Sequence, residues 1–136
     1  MVEVEASQFV AATPPEIRSA LSPSAIVAAE GTFEVADVEE TGDGWEVHAE
    51  GRGISATFAF RETEDGYVYE QVGDHGPFEE METALSLVRE DDGTRLTMTS
   101  VVDLGLPLSA VTDRVAAWKR RAELRRALAA LAEGVE

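Results

Sequence analysis

The side chains best suited to acid–base chemistry lie in a short glycine-flanked segment. Asp74 and His75 occur together in the stretch GDHGPF, and loops of this kind at the mouth of a cavity often carry function. An imidazole next to a carboxylate can exchange protons near neutral pH, so this pair is the first candidate for a general acid or base. The alternative interpretation is an ordinary exposed loop histidine.

A second candidate is a carboxylate on a predicted strand. Glu80 and Glu82 are two residues apart in FEEMETALSLVRE, so they share one face of the strand with Phe78. If this face points into a cavity, Glu80 is placed to act as a general base. If it points outward, both are surface charges. The outward arrangement is favoured because Met81 and Leu85 are better inward residues.

Metal binding and nucleophilic catalysis find little support. Two histidines and no cysteines are a thin supply of ligands, so no metal site is predicted. Glu46, His48 and Glu50 alternate along a strand, and this polar row is expected on the outer, wet face. The glycines of GDG and GRG belong to hairpin turns, and neither a phosphate-binding loop nor a Gly-x-Ser-x-Gly elbow is present. No cofactor is therefore predicted.

The chain is strongly acidic. Its 136 residues carry 27 acidic and 11 basic side chains, which gives a formal net charge of −16. Such a surplus destabilises a small fold by self-repulsion, and the repulsion largely disappears in molar salt, where the Debye length is about 3 Å. The acids are spread along the chain, which favours salt adaptation over a nucleic-acid mimic or a surface for a basic partner. The composition resembles that of proteins from salt-accumulating archaea.

Length and segment composition predict one cytoplasmic domain spanning residues 1–136. The N-terminus has no basic stretch followed by an apolar run. No apolar segment approaches the ~20 residues needed to cross a bilayer. Without cysteines, disulfides are excluded.

The apolar pattern predicts a strand, two short helices, six more strands and a long helix. Thr13, Pro14 and Glu16 form a capping box for the first helix, and a second helix from about Ser24 ends before Gly31. Acidic, glycine-containing turns then separate strand candidates, as in successive hairpins. The last helix begins after Pro107. The prediction is an α+β fold, with a curved antiparallel sheet of about seven strands around the C-terminal helix.

In this layout the sequence resembles the START-like, helix-grip superfamily, also called SRPBCC, which includes the polyketide cyclase/dehydrase and lipid-transport group. The resemblance rests on the opening strand leading into ATPPEIRSAL, on the strand DDGTRLTMTSVVDL and on the closing helix RRAELRRALAALAE. It implies a cavity between the sheet and the long helix that holds a lipid, quinone or polyketide-like molecule. No catalytic residues transfer with it. The tract LGLPLSAVTDRV is also weakly similar to the branch that contains an accessory protein of carbon monoxide dehydrogenase.

Large apolar residues are the candidates for contact with such a ligand. They are Trp45, Phe58, Phe60, Met81, Met98 and Trp118. Side chains of this kind at strand and helix spacing are equally expected in an ordinary core. Three functions remain open: binding of an apolar ligand, a cyclase/dehydrase-type enzyme, and an accessory protein that binds another protein. A purely apolar cavity would favour the first, and an inward carboxylate or histidine the second.

The closing helix holds six of the eleven bases, between Arg114 and Arg126. Its apolar residues form two stripes about 140° apart. The first stripe is Leu108, Val111, Val115, Trp118 and Ala122, and the second is Leu124, Leu128, Leu131 and Val135. Either each half buries a different face, or the helix bends, or the second stripe binds a partner chain; the protein is a monomer or a dimer.

The bases of this helix, among them Arg114, Arg120 and Arg121, lie mostly off the first stripe and are predicted to be solvated. Binding to nucleic acid is not predicted, because it requires a net attraction to phosphate. A transient contact with a membrane is the stronger alternative.

Overall fold

A computed structural model of the protein describes residues 2–73, 76, 78–103 and 110–135, the last range without the side chains of 110–112. The elements are β1 (Val2–Val10), α1 (Pro14–Ala20), α2 (Pro23–Glu30), β2 (Glu34–Glu40), β3 (Trp45–Gly51), β4 (Ile54–Glu62), β5 (Gly66–Val72), β6 (Glu80–Glu90), β7 (Gly93–Asp103) and α3 (Ala110–Glu133). The strands form one antiparallel sheet in the order β1-β7-β6-β5-β4-β3-β2. The predicted α+β helix-grip architecture is confirmed.

Local signals set the short helices and the turns. The Thr13 hydroxyl accepts a hydrogen bond from the Glu16 backbone, and the Glu16 carboxylate accepts one from the Thr13 N–H, so the predicted capping box is present. Gly31 ends α2 at φ 77°, a left-handed conformation that glycine adopts without strain. Arg52 and Gly53 turn between β3 and β4, also at positive φ, as the right-handed twist of a hairpin requires.

The core lies between the inner face of the sheet and the two longer helices. Helix α3 packs mainly against β1 and α2. Alternate residues of each central strand point inward, as shown by buried Met81, Leu85 and Leu87 on β6. None of the helices in the described ranges is long and apolar enough to span a bilayer.

Helix α3 buries the second predicted stripe. Leu124, Leu128 and Leu131 are buried in the core of the chain itself, so of the alternatives that the sequence left open, a partner chain on this stripe is ruled out. From the first stripe, Val115 is 57% exposed and Trp118 is 73% exposed. The physical reason is the density of small and branched apolar residues in the second half of the helix, which fixes the face that packs against β1 and α2.

Candidate functional site

Three hydroxyl groups form a row across the inner face of the sheet. Tyr69 on β5 pairs with Thr83 on β6, and Thr83 pairs with Ser100 on β7. Directly paired residues project to the same face, so all three side chains point towards α3 and all are buried. The row continues into apolar residues on both sides, Phe60 on β4 and Val4 on β1. Within this row, the polar side chains therefore lie at the centre and the apolar ones at the ends.

Arg120 reaches down from α3 onto this row, with only 2% of its surface exposed. Its Nε donates to Ser100 Oγ at 3.0 Å, and its Nη2 donates to Thr83 Oγ1 at 2.9 Å. The guanidinium also lies 5.7 Å from the centre of the Phe78 ring, within the range of a cation–π contact. The prediction that Arg120 is solvated is wrong, because it shares the face of α3 that carries Leu124.

Two buried carboxylates complete the group. Glu30, the last residue of α2, lies 3.1 Å from Arg120 Nη2 through its Oε1 and accepts a hydrogen bond of 2.6 Å from the Tyr69 hydroxyl. Glu123, one turn beyond Arg120, lies 3.6 Å from Arg120 Nη1 and accepts a hydrogen bond of 2.5 Å from the Thr32 hydroxyl. Among the described side chains, every buried polar atom has a partner.

These six residues, Glu30, Tyr69, Thr83, Ser100, Arg120 and Glu123, are called the Arg120 cluster below. Burial raises the pKa of Tyr69 well above its ordinary value of 10, and the charge of Glu30 raises it further, against a smaller lowering by Arg120. Tyr69 is therefore a protonated donor at physiological pH. Burial opposes the charge of Arg120, but the charges of Glu30 and Glu123 and the hydrogen bond to Glu30 outweigh burial and raise its pKa. Arg120 is a permanent cation.

Aromatic rings lie next to the cluster on one side. The ring of Phe60 stacks on that of Tyr69 with centroids 4.4 Å apart, and Phe58 meets Tyr69 edge-on at 6.4 Å. Phe33 extends this wall through an edge contact with Phe58 at 6.0 Å. The polar centre of the interior thus borders a continuous aromatic surface.

The predicted ligand-contacting residues fall into two groups. Phe58, Phe60, Met81 and Met98 are buried in the interior, and Met81 lies within the reach of Arg120, with Sδ 3.8 Å from Nη2. Trp45 is half-buried beside Tyr67. Trp118 is exposed and does not reach the interior, contrary to expectation. The role of these residues in ligand contact stays a prediction.

The predicted acid–base residues do not join the cluster in the described part of the chain. Asp74 and His75 lie outside the described residues. Glu80 and Glu82 are exposed on the face of β6 that points away from α3. That position matches the favoured interpretation of both as surface charges.

A group on the outer face of the sheet could hold a metal ion. Ligand atoms of Glu39, Glu46 and His48 lie within 4.8 Å of one another. His48 contacts the Thr57 hydroxyl through Nδ1 at 3.1 Å, and its Nε2 lies 3.8 Å from Glu39. The sequence pattern does not point to Glu39, because only the pairing of β2 with β3 sets it opposite Glu46. Glu39 is exposed and the other two are only half-buried, so water can solvate the whole group.

The Arg120 cluster was not predicted from the sequence either, although the sequence contains two signals for it. Arg120 lies four residues before Leu124, which places it on the second stripe of α3. Ser100 alternates with Leu96, Met98 and Val102 on the inner face of β7, where a hydroxyl needs a partner.

No protein-family model and no curated protein matches the sequence, whereas solved structures match over nearly the whole chain. Protein TTHA0849 from Thermus thermophilus is 17% identical, with a TM-score of 0.76 over 98% of this chain and 96% of its own. A START superfamily protein from Mycobacterium smegmatis is 19% identical, with a TM-score of 0.74 over 98% of this chain and 99% of its own.

A third similar structure belongs to a biosynthetic protein. It is the di-domain ARO/CYC BexL from the BE-7585A biosynthetic pathway, which is 14% identical, with a TM-score of 0.76 over 98% of this chain and 50% of its own. Identities this low establish a shared fold and leave function open. The chain has the START-like, SRPBCC helix-grip fold.

Proposed function

We propose that this protein binds a hydrophobic or amphipathic small molecule between the sheet and α3, and that the Arg120 cluster supplies its polar contact. The observation that carries the proposal is the convergence of a buried cation, two buried carboxylates and three buried hydroxyls in an otherwise apolar interior. Small-molecule sites are mostly apolar with a few converging polar groups. Residues with strongly shifted pKa values also concentrate in such sites.

Stability alone gives a weak reason to keep such a cluster. Removing charges from water costs several kcal/mol per ion, and well-packed apolar residues in their place are often neutral or stabilising. By this reasoning, an apolar replacement of the whole network, Arg120 together with Glu30 and Glu123, would cost the fold little. A binding role accounts for why the polar groups lie together at one point.

The chemistry of the cluster defines the class of ligand. Arg120 and Tyr69 donate hydrogen bonds, and the Thr83 and Ser100 hydroxyls accept from Arg120 and each keep an O–H. A ligand oxygen such as a carbonyl or hydroxyl suits these donors if it takes the place of one of their present partners. The neighbouring wall of Phe58, Phe60 and Met81 suits a flat or aliphatic body. A lipid, quinone or polyketide-like molecule combines both features.

A second function, a cyclase/dehydrase-type enzyme, is favoured by one observation. Glu30 is a carboxylate that points inward, 2.6 Å from a phenolic hydroxyl, and such a pair can transfer protons to a bound carbonyl compound. Binding ranks first because the pKa of Tyr69 is raised, which makes it a poor proton donor in catalysis. Arg120 also engages the Glu30 carboxylate at 3.1 Å.

The test is mass spectrometry of the organic extract from protein purified in high salt and then denatured. We expect a stoichiometric apolar compound from the wild type and a loss of at least about tenfold for Arg120→Met. Arg95→Met is the control, because that guanidinium pairs with Glu90 at the surface. If Arg120→Met unfolds, Tyr69→Phe and Ser100→Ala test the same contacts. Equal ligand content in wild type and all cluster variants would overturn the proposal.

Should the extract be empty, the fluorescent probe 1-anilinonaphthalene-8-sulfonate provides the readout. We expect saturable binding that weakens in the cluster variants, while circular dichroism shows an intact fold. Probe binding that is unsaturable, or the same in every variant, would count against an interior site.

A further inference from the structure

Helix α3 is amphipathic on two opposite faces. One face is buried and contains Arg120, Leu124 and Leu128. On the opposite face, Trp118 is 73% exposed, more than any other large apolar side chain in the described part of the chain, and Val115 is 57% exposed. The interior therefore accounts for one side of the helix and leaves the other apolar stripe open to solvent.

Basic residues border this exposed stripe on both sides. At about 100° per residue, Val115 and Ala122 lie within about 60° of Trp118 around the helix. Arg114, Arg121 and Arg125 follow along one edge, and Lys119, the single lysine of the chain, along the other. These seven residues are called the Trp118 face: Arg114, Val115, Trp118, Lys119, Arg121, Ala122 and Arg125.

The local charge of the Trp118 face is opposite to that of the protein. Among nearby acids on α3, Glu123 is buried against Arg120 and Asp113 is half-buried. Strand acids such as Glu70 and Glu82 lie on the far face of the sheet. These acids are separated from the Trp118 face by the sheet and the core. Because the interaction between charges falls with distance, an approaching surface meets the bases first.

We propose that the Trp118 face docks on the surface of an anionic lipid bilayer. An indole has an apolar body and a polar N–H, which places it at the level of the lipid headgroups. Arginine and lysine chains lie along apolar surface while their charged ends reach anionic phosphates. An apolar stripe with cations on both edges is the pattern of a helix that lies in the plane of a membrane interface.

Nucleic acid is the weaker partner for this face. Its apolar centre, Trp118 with Val115 and Ala122, would face the polar backbone of a duplex without burying apolar surface. The inference goes beyond the proposed function and does not depend on it, because it uses a face of α3 that the interior does not use. An empty interior would leave the Trp118 face unchanged.

The test uses Trp45→Phe as the parent protein, since this leaves Trp118 as the single tryptophan. Vesicles of phosphatidylcholine alone are compared with vesicles containing about one third phosphatidylglycerol. With the anionic vesicles we expect co-sedimentation, a blue shift of the Trp118 emission, and quenching by lipids brominated near the headgroup. Each should weaken from 0.15 M to 0.5 M KCl, with circular dichroism confirming the fold at both.

Matched variants distinguish binding through the Trp118 face from nonspecific adsorption to vesicles. Two variants should each weaken binding to anionic vesicles at least about tenfold: Trp118→Ala and the double variant Arg114→Gln/Lys119→Gln. Binding of Trp118→Ala is followed by sedimentation alone, because this variant has no tryptophan. The controls are Val88→Ala, an apolar residue 55% exposed on β6, and Arg52→Gln/Arg61→Gln, which removes two exposed bases elsewhere. The controls should bind as the parent does. The proposal is overturned by absence of binding to anionic vesicles, by equal losses in test and control variants, or by tighter binding to duplex DNA than to vesicles.

Discussion

Two polar groups of similar composition lie on opposite faces of the sheet. The Arg120 cluster joins Glu30 and Glu123 to a cation on the inner face, and the outer group joins Glu39 and Glu46 to His48. Inside, each polar atom of the cluster has a fixed partner and little contact with water. Outside, the carboxylates are wet and the contact between His48 and Glu39 is 3.8 Å long. The same side-chain types are thus constrained in one place and loosely held in the other.

The difference shows how the surroundings set the strength of an ionic contact. Exposed ion pairs are screened by salt and contribute little, whereas a buried charge that loses its partner is strongly destabilising. A composition-based view of this acidic chain would weigh each glutamate equally. The structure instead separates Glu30 and Glu123, which are held in one network, from the exposed acids that mainly repel one another.

The largest effect is expected when the cation of the cluster is removed. Arg120→Ala leaves Glu30 and Glu123 facing each other without a counter-charge, and we expect it to lower the free energy of unfolding by about 3–5 kcal/mol. The measurement is denaturant unfolding in 2 M KCl. Arg95→Ala, which breaks the exposed pair with Glu90, should change stability far less. Similar losses of stability in the two variants would contradict the expectation that the buried ion pairs of the cluster matter more than an exposed one.

The Tyr69 hydroxyl is expected to give a smaller effect with a distinct pH dependence. Tyr69→Phe removes a hydrogen bond to Glu30, and we expect a loss of about 1.5–3 kcal/mol near neutral pH. Tyr67→Phe is the matched control, since Tyr67 also packs against Phe60. Because the folded-state pKa of Tyr69 is raised above 10, its contribution is complete below pH 10 and is lost as pH rises through the folded value.

The check is the free energy of unfolding measured from pH 8 upward. Above pH 10 the wild type should lose stability more steeply than Tyr69→Phe. Tyr67→Phe should retain most of the steep loss, because burial raises the pKa of Tyr67 less than that of Tyr69 and Arg18 partly opposes the effect of Glu62. Parallel curves for wild type and Tyr69→Phe would contradict the assignment of a protonated, buried Tyr69.

Most of the scaffold could be predicted from the sequence, because it depends on neighbours along the chain. The capping box at Thr13, the stop at Gly31 and the hairpin turns each involve residues a few positions apart. Strand alternation likewise identified Phe58, Phe60, Met81 and Met98 as inward. Each of these features depends on residues a few positions apart, so a pattern in the sequence is enough to identify it.

The Arg120 cluster could not be predicted in the same way, because it depends on distant residues. Arg120 contacts Thr83 and Glu30, which lie on a strand and a helix far away in the chain. The spacing of apolar residues in α3 allowed either of two faces to be the buried one. Trp118 made its own face appear apolar enough to be buried, but that face is exposed. An arginine is buried only when several partners converge on it, and no local pattern reports that convergence.

The smallest effect is expected on the outer face, where it tests the origin of the acidic surplus. Glu39 and Glu46 are directly opposed on β2 and β3, and like charges in this position destabilise a sheet. Glu46→Gln should therefore stabilise the protein by about 0.5 kcal/mol in 0.1 M KCl and by almost nothing in 2 M KCl. Wild-type unfolding midpoints should themselves rise between these two salt concentrations, because the net charge is −16.

Arg120→Ala gives the contrasting control. Salt screens a buried network only weakly, so the loss in free energy of unfolding caused by this substitution should persist in high salt. A gain from Glu46→Gln that survives 2 M KCl would mean that side-chain packing, and not charge, is the cause. A wild-type midpoint that does not change with salt would remove salt adaptation as the reason for the acidic surface. The inner cluster would then remain as the site where acidic residues act through specific contacts, with Glu30 and Glu123 held against Arg120.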